Sequence, residues 1–404
     1  MFSDERKLKD RVLYLVDNCL TPFERIEQAG ILCEGQYILA IGGASAFNKD
    51  PGLEVVDLAG SYAVPGFVDT HIHGAGGFDS STVDEHNEDI SSMCRTLASH
   101  GITSFLPTIV SNEHKRLLNI IDILADMCEK EYYGAEPVGI HSEGPFINAH
   151  KRGAQQRDYI RQVDLGEAKE LIAAGKGKIK IMTLAPEIKN AISLIELLRE
   201  NNIIASMGHS LADEETFIRA VDAGATRCTH LFNGMPALHQ RAVGLTAMAL
   251  VDNRIDVELI VDGALIHPRM IELACRAKPN NRIIGVSDAV EGAGMDDGDY
   301  HLGECEIHVQ NGKVTTHDGV LAGTTQTLEK GWQHLATASH MSLNDAAACL
   351  SVNPARSIGL YKRGELRPGF FADITFFATD SNNVRMTVSK GSVIYDREEK
   401  GNKK

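Results

Sequence analysis

Between residues 63 and 365 the sequence alternates short apolar runs with segments of helical length, and that alternation leaves few folds open. Apolar, β-favouring runs fall at 63–69, 102–106, 138–141, 179–184, 203–207, 226–229, 258–261 and 283–287. Between them, segments 117–128, 165–174, 191–199 and 214–223 repeat apolar residues three and four apart, the spacing of an amphipathic helix. Eight strand-then-helix units predict an α/β fold, a (β/α)8 barrel of the TIM type, over an open doubly wound sheet. No Gly-x-Gly-x-x-Gly follows an early strand, which removes the main reason to expect a dinucleotide fold. The two ends read differently. Short β-forming stretches such as Val12-Leu13-Tyr14-Leu15-Val16 and Ile374-Thr375-Phe376-Phe377 are too small to stand alone. They predict one small β-sandwich domain built from 1–62 plus 366–404, beside a barrel over 63–365, with a charged tail at 397–404.

In such a barrel the reactive groups gather at the C-terminal ends of the strands. Residues two apart on an extended chain face the same way, so His71 and His73 project together just before a glycine-rich turn. Such a pair either grips a divalent cation or hydrogen-bonds nearby backbone. Later strand ends offer Glu143, His209, His230 and Asp288. Singly, each has a structural explanation: His209 as a helix cap, His230 as a core histidine, Asp288 as an N-cap. Four histidines and two carboxylates on one face read instead as a metal site. Nitrogen and oxygen donors suit Zn²⁺, Fe²⁺ or Mn²⁺, and without a thiolate the donor types do not choose among them; Zn²⁺ is the first expectation. His141 shares strand parity with Glu143 but lies deeper, as a core or supporting residue, and His86, His100, His114, His301 and His334 read as structural.

Charge narrows the partners. Lys+Arg number 40 against Asp+Glu 55, a net charge of −15, which argues against nucleic acid and anionic membrane but leaves room for a local anion pocket. No apolar run reaches membrane-spanning length, and the charged N-terminus does not read as a secretory signal. Eight scattered cysteines without a Cys-x-x-Cys read as reduced thiols of a cytoplasmic protein.

Five motifs together carry a family resemblance: Pro65-Gly66-Phe67-Val68-Asp69-Thr70-His71-Ile72-His73-Gly74, His141-Ser142-Glu143-Gly144-Pro145, Met207-Gly208-His209-Ser210, Thr229-His230-Leu231-Phe232-Asn233-Gly234-Met235-Pro236 and Val286-Ser287-Asp288-Ala289. They resemble the amidohydrolase superfamily, and within it the N-acetylglucosamine-6-phosphate deacetylases and their N-acetylgalactosamine-6-phosphate relatives. The fourth strand has no lysine at its mouth, and Glu143 stands in for the carboxylated lysine of other branches. The resemblance implies that Glu143, His209 and His230 bind one divalent metal and that His71 and His73 hold a second in some members. Asp288 is implied as the general acid/base and as a ligand. Ala154, Asn233, Gly234, Arg241 and the Leu321-Ala322-Gly323 turn are implied as contacts to a phosphorylated amino sugar. Arg241 is implied to reach in from a neighbouring subunit, making the protein a homodimer or larger homo-oligomer.

This chain also departs from the family pattern. Gln155 stands where the family has a histidine after the Glu-Gly-Pro loop, and Leu265 where it has a substrate-contacting histidine near the seventh strand. Leucine leaves a developing oxyanion one donor short. Either His267 reaches back to supply it, or a second cation on His71 and His73 does, which is the stronger option. Alternative activities are hydrolysis of another N-acyl amino sugar, an N-acyl amino acid or a cyclic amide; a catalytically silent scaffold is the reading from outside enzymology.

Overall fold

A computed structural model describes residues 10–21, 23–48, 52–86 and 89–398. The charged stretch 1–7 and most of 397–404 lie outside the described residues. The eight barrel strands are Phe67–Ile72, Ile102–Val110, Ile140–Glu143, Ile179–Leu184, Ile204–Met207, Arg227–Cys228, Asp256–Ile260 and Ile283–Val286, hydrogen-bonded in chain order and parallel. Closure comes from the first and last strand ends: Asp288 donates its N–H to His71 O at 2.9 Å, and His73 donates to Ala289 O at 2.8 Å. Strands such as Phe67–Ile72 are buried throughout because side chains fill the barrel inside and helices cover it outside. The four expected helices are present as His114–Met127, Leu165–Ala174, Ala191–Glu200 and Glu214–Ala223.

Both chain ends share one seven-stranded mixed sheet. Its order is Ser392–Asp396, Val384–Ser389, Ile374–Ala378, Glu54–Pro65, Arg11–Leu20, Arg25–Glu34 and Tyr37–Gly43. Val12, Tyr14, Ile31, Phe376 and Val388 of this sheet belong to a core separate from that of the barrel.

Two expectations need correction. The run expected as one strand over 63–69 is divided at Gly66: its first part completes Glu54–Pro65 in the terminal sheet, and the barrel strand begins at Phe67. The backbone passes so close to Thr103 that a Cβ on Gly66 would lie 2.4 Å from Thr103 Cγ2. Apolar character runs unbroken across both strands, so hydrophobicity alone does not reveal the break. The second correction concerns Leu321, Ala322 and Gly323, which form the strand Leu321–Thr324 and not a turn. That strand closes an antiparallel four-stranded sheet with Gly298–Leu302, Cys305–Gln310 and Lys313–Thr316, placed between the eighth barrel strand and helix Leu328–Ser339. Its Ile307, Val309, Val314 and Ala322 pack on Val110, Ala154 and Val290 beside the barrel mouth.

Candidate metal and hydrolytic site

The strand ends bring His71, His73, Glu143, His209, His230 and Asp288 together. Glu143 Oε1 lies 3.0 Å from His209 Nε2, 3.0 Å from His230 Nε2 and 3.4 Å from His71 Nε2. Asp288 Oδ1 lies 3.2 Å from His73 Nε2 and 3.5 Å from His71 Nε2. All six residues are at least nine-tenths buried. Three of them stand two residues beyond their strand ends, in the left-handed region: His209 at φ 47°, His230 at φ 27° and Asp288 at φ 51°. A non-glycine residue enters that region at a cost, and such strain gathers at functional sites.

Hydrogen bonding on the far side of each ring decides what it presents to the centre. Lys151 O and Thr108 O can only accept, so His209 Nδ1–H donates to the first at 2.7 Å and His73 Nδ1–H to the second at 3.2 Å. His71 Nδ1–H donates to Glu258 Oε2 at 2.9 Å. Each neutral ring therefore aims an Nε2 lone pair at carboxylate oxygens, which are acceptors too. Nε2 of His209 and Nε2 of His230 stand 3.1 Å apart, and Nε2 of His71 is buried with no hydrogen-bond partner. A cage of acceptors needs positive charge at its centre, and this donor set fits a divalent cation. Two adjoining sets, with no residue in common, lie within reach of one ion each: Glu143, His209 and His230, and His71, His73 and Asp288. Without a cation, protons take its place. Burial lowers the His71 and His209 pKa values, but the charge of Glu143 outweighs it and raises both. Burial raises the Glu143 carboxyl, while the charges of His209 and His71 outweigh it and hold it well below the usual carboxylate range.

His141 does not join the cage. Its Nδ1 meets Thr70 O at 3.1 Å and its Nε2 meets Thr183 Oγ1 at 2.8 Å, so both nitrogens are engaged, and burial pushes its pKa down to about 3. Gln155 faces Glu143 directly: Nε2 donates to Glu143 Oε2 at 2.9 Å. Gly234 backs His209, where a Cβ would come within 3.1 Å of Nδ1, and its φ of 61° suits glycine. Asn233 hydrogen-bonds the carbonyl of His230 at 3.4 Å. Ala154 sits in the core under the four-stranded sheet, and Thr324, next to Gly323, donates its N–H to Asp288 O at 2.9 Å. Leu265 is half-buried against the barrel core. His267 is exposed and accepts from Arg269 N–H as the cap of helix Pro268–Ala277, so it does not reach back to the centre. Arg241 is exposed on the loop before helix Leu245–Val251.

One residue of this site escaped sequence reasoning. Glu258 is wholly buried on the seventh strand, beside Arg227 of the sixth, 3.5 Å between Oε1 and Nε. An acid between Val257 and Leu259, and a base just before Cys228, in adjacent barrel strands were the available signal.

The sequence pattern of the amidohydrolase family matches residues 62–394. An N-acetylglucosamine-6-phosphate deacetylase of Bacillus subtilis is 35% identical over 353 residues, 86% of this chain and 88% of the relative. An N-acetylgalactosamine-6-phosphate deacetylase of Escherichia coli O157:H7 is 31% identical, covering 86% of this chain and 92% of the relative. A solved Mycobacterium smegmatis N-acetyl-D-glucosamine-6-phosphate deacetylase variant, in complex with N-acetyl-D-glucosamine-6-phosphate, superposes with a TM-score of 0.88 at 29% identity, covering 95% of this chain and 99% of that one.

Proposed function

The chain belongs to the amidohydrolase family, and on that premise we propose that it hydrolyses the N-acetyl amide of an N-acetylhexosamine 6-phosphate, with N-acetylglucosamine 6-phosphate as the first substrate. The products are the amino sugar phosphate and acetate. The observation that carries this reading is the buried acceptor cage around Glu143 Oε1, with Asp288 at its edge.

Glu143, His209 and His230 would hold one divalent cation, Zn²⁺ before Fe²⁺ or Mn²⁺, and His71 and His73 with Asp288 a second. A cation there supplies Lewis acidity, which polarises the acetyl carbonyl and acidifies a water. Asp288 does the proton work. Its carboxylate takes a proton from the attacking water as oxygen bonds to the carbonyl carbon. It then gives that proton to the amide nitrogen as the C–N bond breaks, so the amine leaves neutral. Leu265 donates no hydrogen bond to the carbonyl oxygen and His267 is committed to a helix cap. A second cation held by His71 and His73 would therefore supply the missing electrophile.

Asn233, Gly234, Ala154 and the strand carrying Leu321, Ala322 and Gly323 are assigned to the sugar phosphate. Arg241 is assigned to the phosphate of the partner protomer, in keeping with its exposure in its own, which makes the working unit a homodimer or larger. Among the described residues no helix is long and apolar enough to cross a membrane. Eight free cysteines support a reducing, cytoplasmic setting.

The test is acetate release from N-acetylglucosamine 6-phosphate, N-acetylgalactosamine 6-phosphate, unphosphorylated N-acetylglucosamine and N-acetyl amino acids. Gln155 and Leu265, which depart from the family pattern, make the galactose epimer a necessary arm. A phosphorylated sugar should give the highest kcat/KM; an N-acetyl amino acid turned over faster than either phosphate would overturn the reading.

A further inference from the structure

Glu258 lies on strand Asp256–Ile260, inside the barrel and wholly buried. At such a position an apolar side chain would fill the layer, whereas a carboxylate loses its hydration and needs compensation. Two partners engage a single oxygen. Glu258 Oε2 accepts from His71 Nδ1–H at 2.9 Å and from the backbone N–H of His230 at 3.2 Å. Oε1 has no hydrogen-bond partner and faces the buried Arg227, whose Nη2 donates to Thr70 Oγ1 at 3.3 Å and Ser357 Oγ at 3.2 Å. Arg227 thus offsets the charge without occupying the oxygen that serves the histidines.

We propose that Glu258 is the positioning residue that makes His71 a cation ligand and ties it to His230 through one carboxylate oxygen. An acceptor at Nδ1 keeps the ring proton there, which leaves the Nε2 lone pair aimed at Glu143 and Asp288. A carboxylate acceptor also makes the ring a stronger donor of that lone pair. The packing leaves His71 little freedom to turn otherwise, since His141 stands edge-on to it with ring centroids 4.6 Å apart. The same Oε2 holds the His230 backbone as it enters the left-handed region at φ 27°, where its ring turns to Glu143. One atom therefore sets both halves of the cage, and the two cation sets cannot be tuned independently. Arg227 and Glu258 sit on neighbouring strands; Arg227 is paired to Asp256, and Glu258 lies two residues further on, on the same face.

The proposal rests on the cation reading above, and its test separates the two. Zn²⁺ affinity is measured by chelator competition for wild type, Glu258→Gln, Glu258→Leu/Arg227→Met, His71→Ala and Glu258→Gln/His71→Ala. The Leu/Met pair removes both buried charges, so it reports even if the glutamine variant folds poorly. Both Glu258 variants should lose about 10–100-fold in Zn²⁺ affinity, the usual consequence of losing a partner behind a ligating histidine. In the His71→Ala background the Glu258→Gln loss should shrink at least about fivefold, the remainder being the His230 arm. In Zn²⁺-loaded wild type, imidazole ¹⁵N shifts should place the His71 proton on Nδ1, and its signal should lose exchange protection in the Leu/Met pair. Wild type that takes up no divalent cation contradicts the deacetylase chemistry. Cation uptake indifferent to both Glu258 variants, an undiminished loss in the His71→Ala background, or a His71 ring protonated on Nε2 overturns the role of Glu258.

Discussion

Gln155 donates its side-chain N–H to Glu143 Oε2 at 2.9 Å, while its own Oε1 accepts from the backbone N–H of Ser111 at 3.0 Å and from the Ser111 hydroxyl at 2.6 Å. The amide is thus fixed in orientation by two donors and presents a donor to the carboxylate. Glu143 keeps Oε1 for His209 and His230 because Oε2 is already engaged. Gln155→Leu removes the donor and leaves the Ser111 N–H and hydroxyl without their acceptor. We expect Zn²⁺ affinity to fall about tenfold. Gln155→Glu, which brings a second carboxylate against Glu143, should fall further. Equal affinity in wild type and Gln155→Leu, by chelator competition, would remove Gln155 from the support of the cage.

Asp288→Asn keeps the size of the side chain and one oxygen, yet an amide neither takes a proton from water nor returns one to nitrogen. Turnover should drop by about 10²–10⁴, with the fold and most cation binding intact. Steady-state acetate release beside cation content decides it. A variant within a few fold of wild type would take Asp288 out of proton transfer.

Gly234→Ala tests how tightly the sixth-strand turn is built onto His209. The new Cβ would come 3.1 Å from His209 Nδ1 and 3.4 Å from Lys151 O, the very pair that hydrogen-bonds at 2.7 Å. Its φ of 61° adds backbone strain of about 1–2 kcal/mol. We expect a lower melting temperature together with weaker cation binding; an unchanged melting curve and affinity would show that the turn has slack.

Much of the barrel and its mouth was legible because periodicity and strand parity are local. His71 and His73 share a face by spacing alone, and Glu143, His209, His230 and Asp288 each end an apolar run. What stayed hidden depends on contacts far apart in sequence. Gln155 meets Glu143 only because Ser111, on another strand end, holds its oxygen. Glu258 finds His71 across 187 positions, and a lone acid in an apolar strand does not announce its partner. The sheet over residues 298–324 was overlooked for a different reason: alternating burial in Cys305–Gln310 is a plain strand signal, but it falls inside a strand–helix unit of the barrel pattern. Gly66 separates two strands that hydrophobicity joins.

The terminal sheet is fastened to the barrel by Glu136, which pairs with Lys390 at 2.9 Å and also with Arg363. Burial raises the Glu136 carboxyl, but Arg363 and Lys390 outweigh it and lower its pKa below the ordinary value of 4.5. A carboxyl lowered on folding stabilises the folded state above its unfolded pKa and loses that contribution as pH falls through the folded one. Glu136→Gln should therefore unfold at a lower temperature than wild type at pH 7, with the gap closing in acid below the ordinary carboxylate range. A gap that is constant from pH 7 into acid would mean the pair contributes packing and not charge.

We expect the acceptor cage to work on the substrate only when it holds a divalent cation. The most direct measurement is acetate release from N-acetylglucosamine 6-phosphate against Zn²⁺ bound per subunit, from fully chelated protein through stepwise reloading, for wild type and His71→Ala/His73→Ala. Release should be negligible from the chelated protein and should rise with loading to a second ion in wild type. The double variant should bind a single ion and turn over well below wild type, because neither Leu265 nor His267 replaces the lost electrophile. Acetate release at the wild-type rate from fully chelated protein would contradict the need for a cation, and a one-ion double variant at the wild-type rate would contradict the second cation.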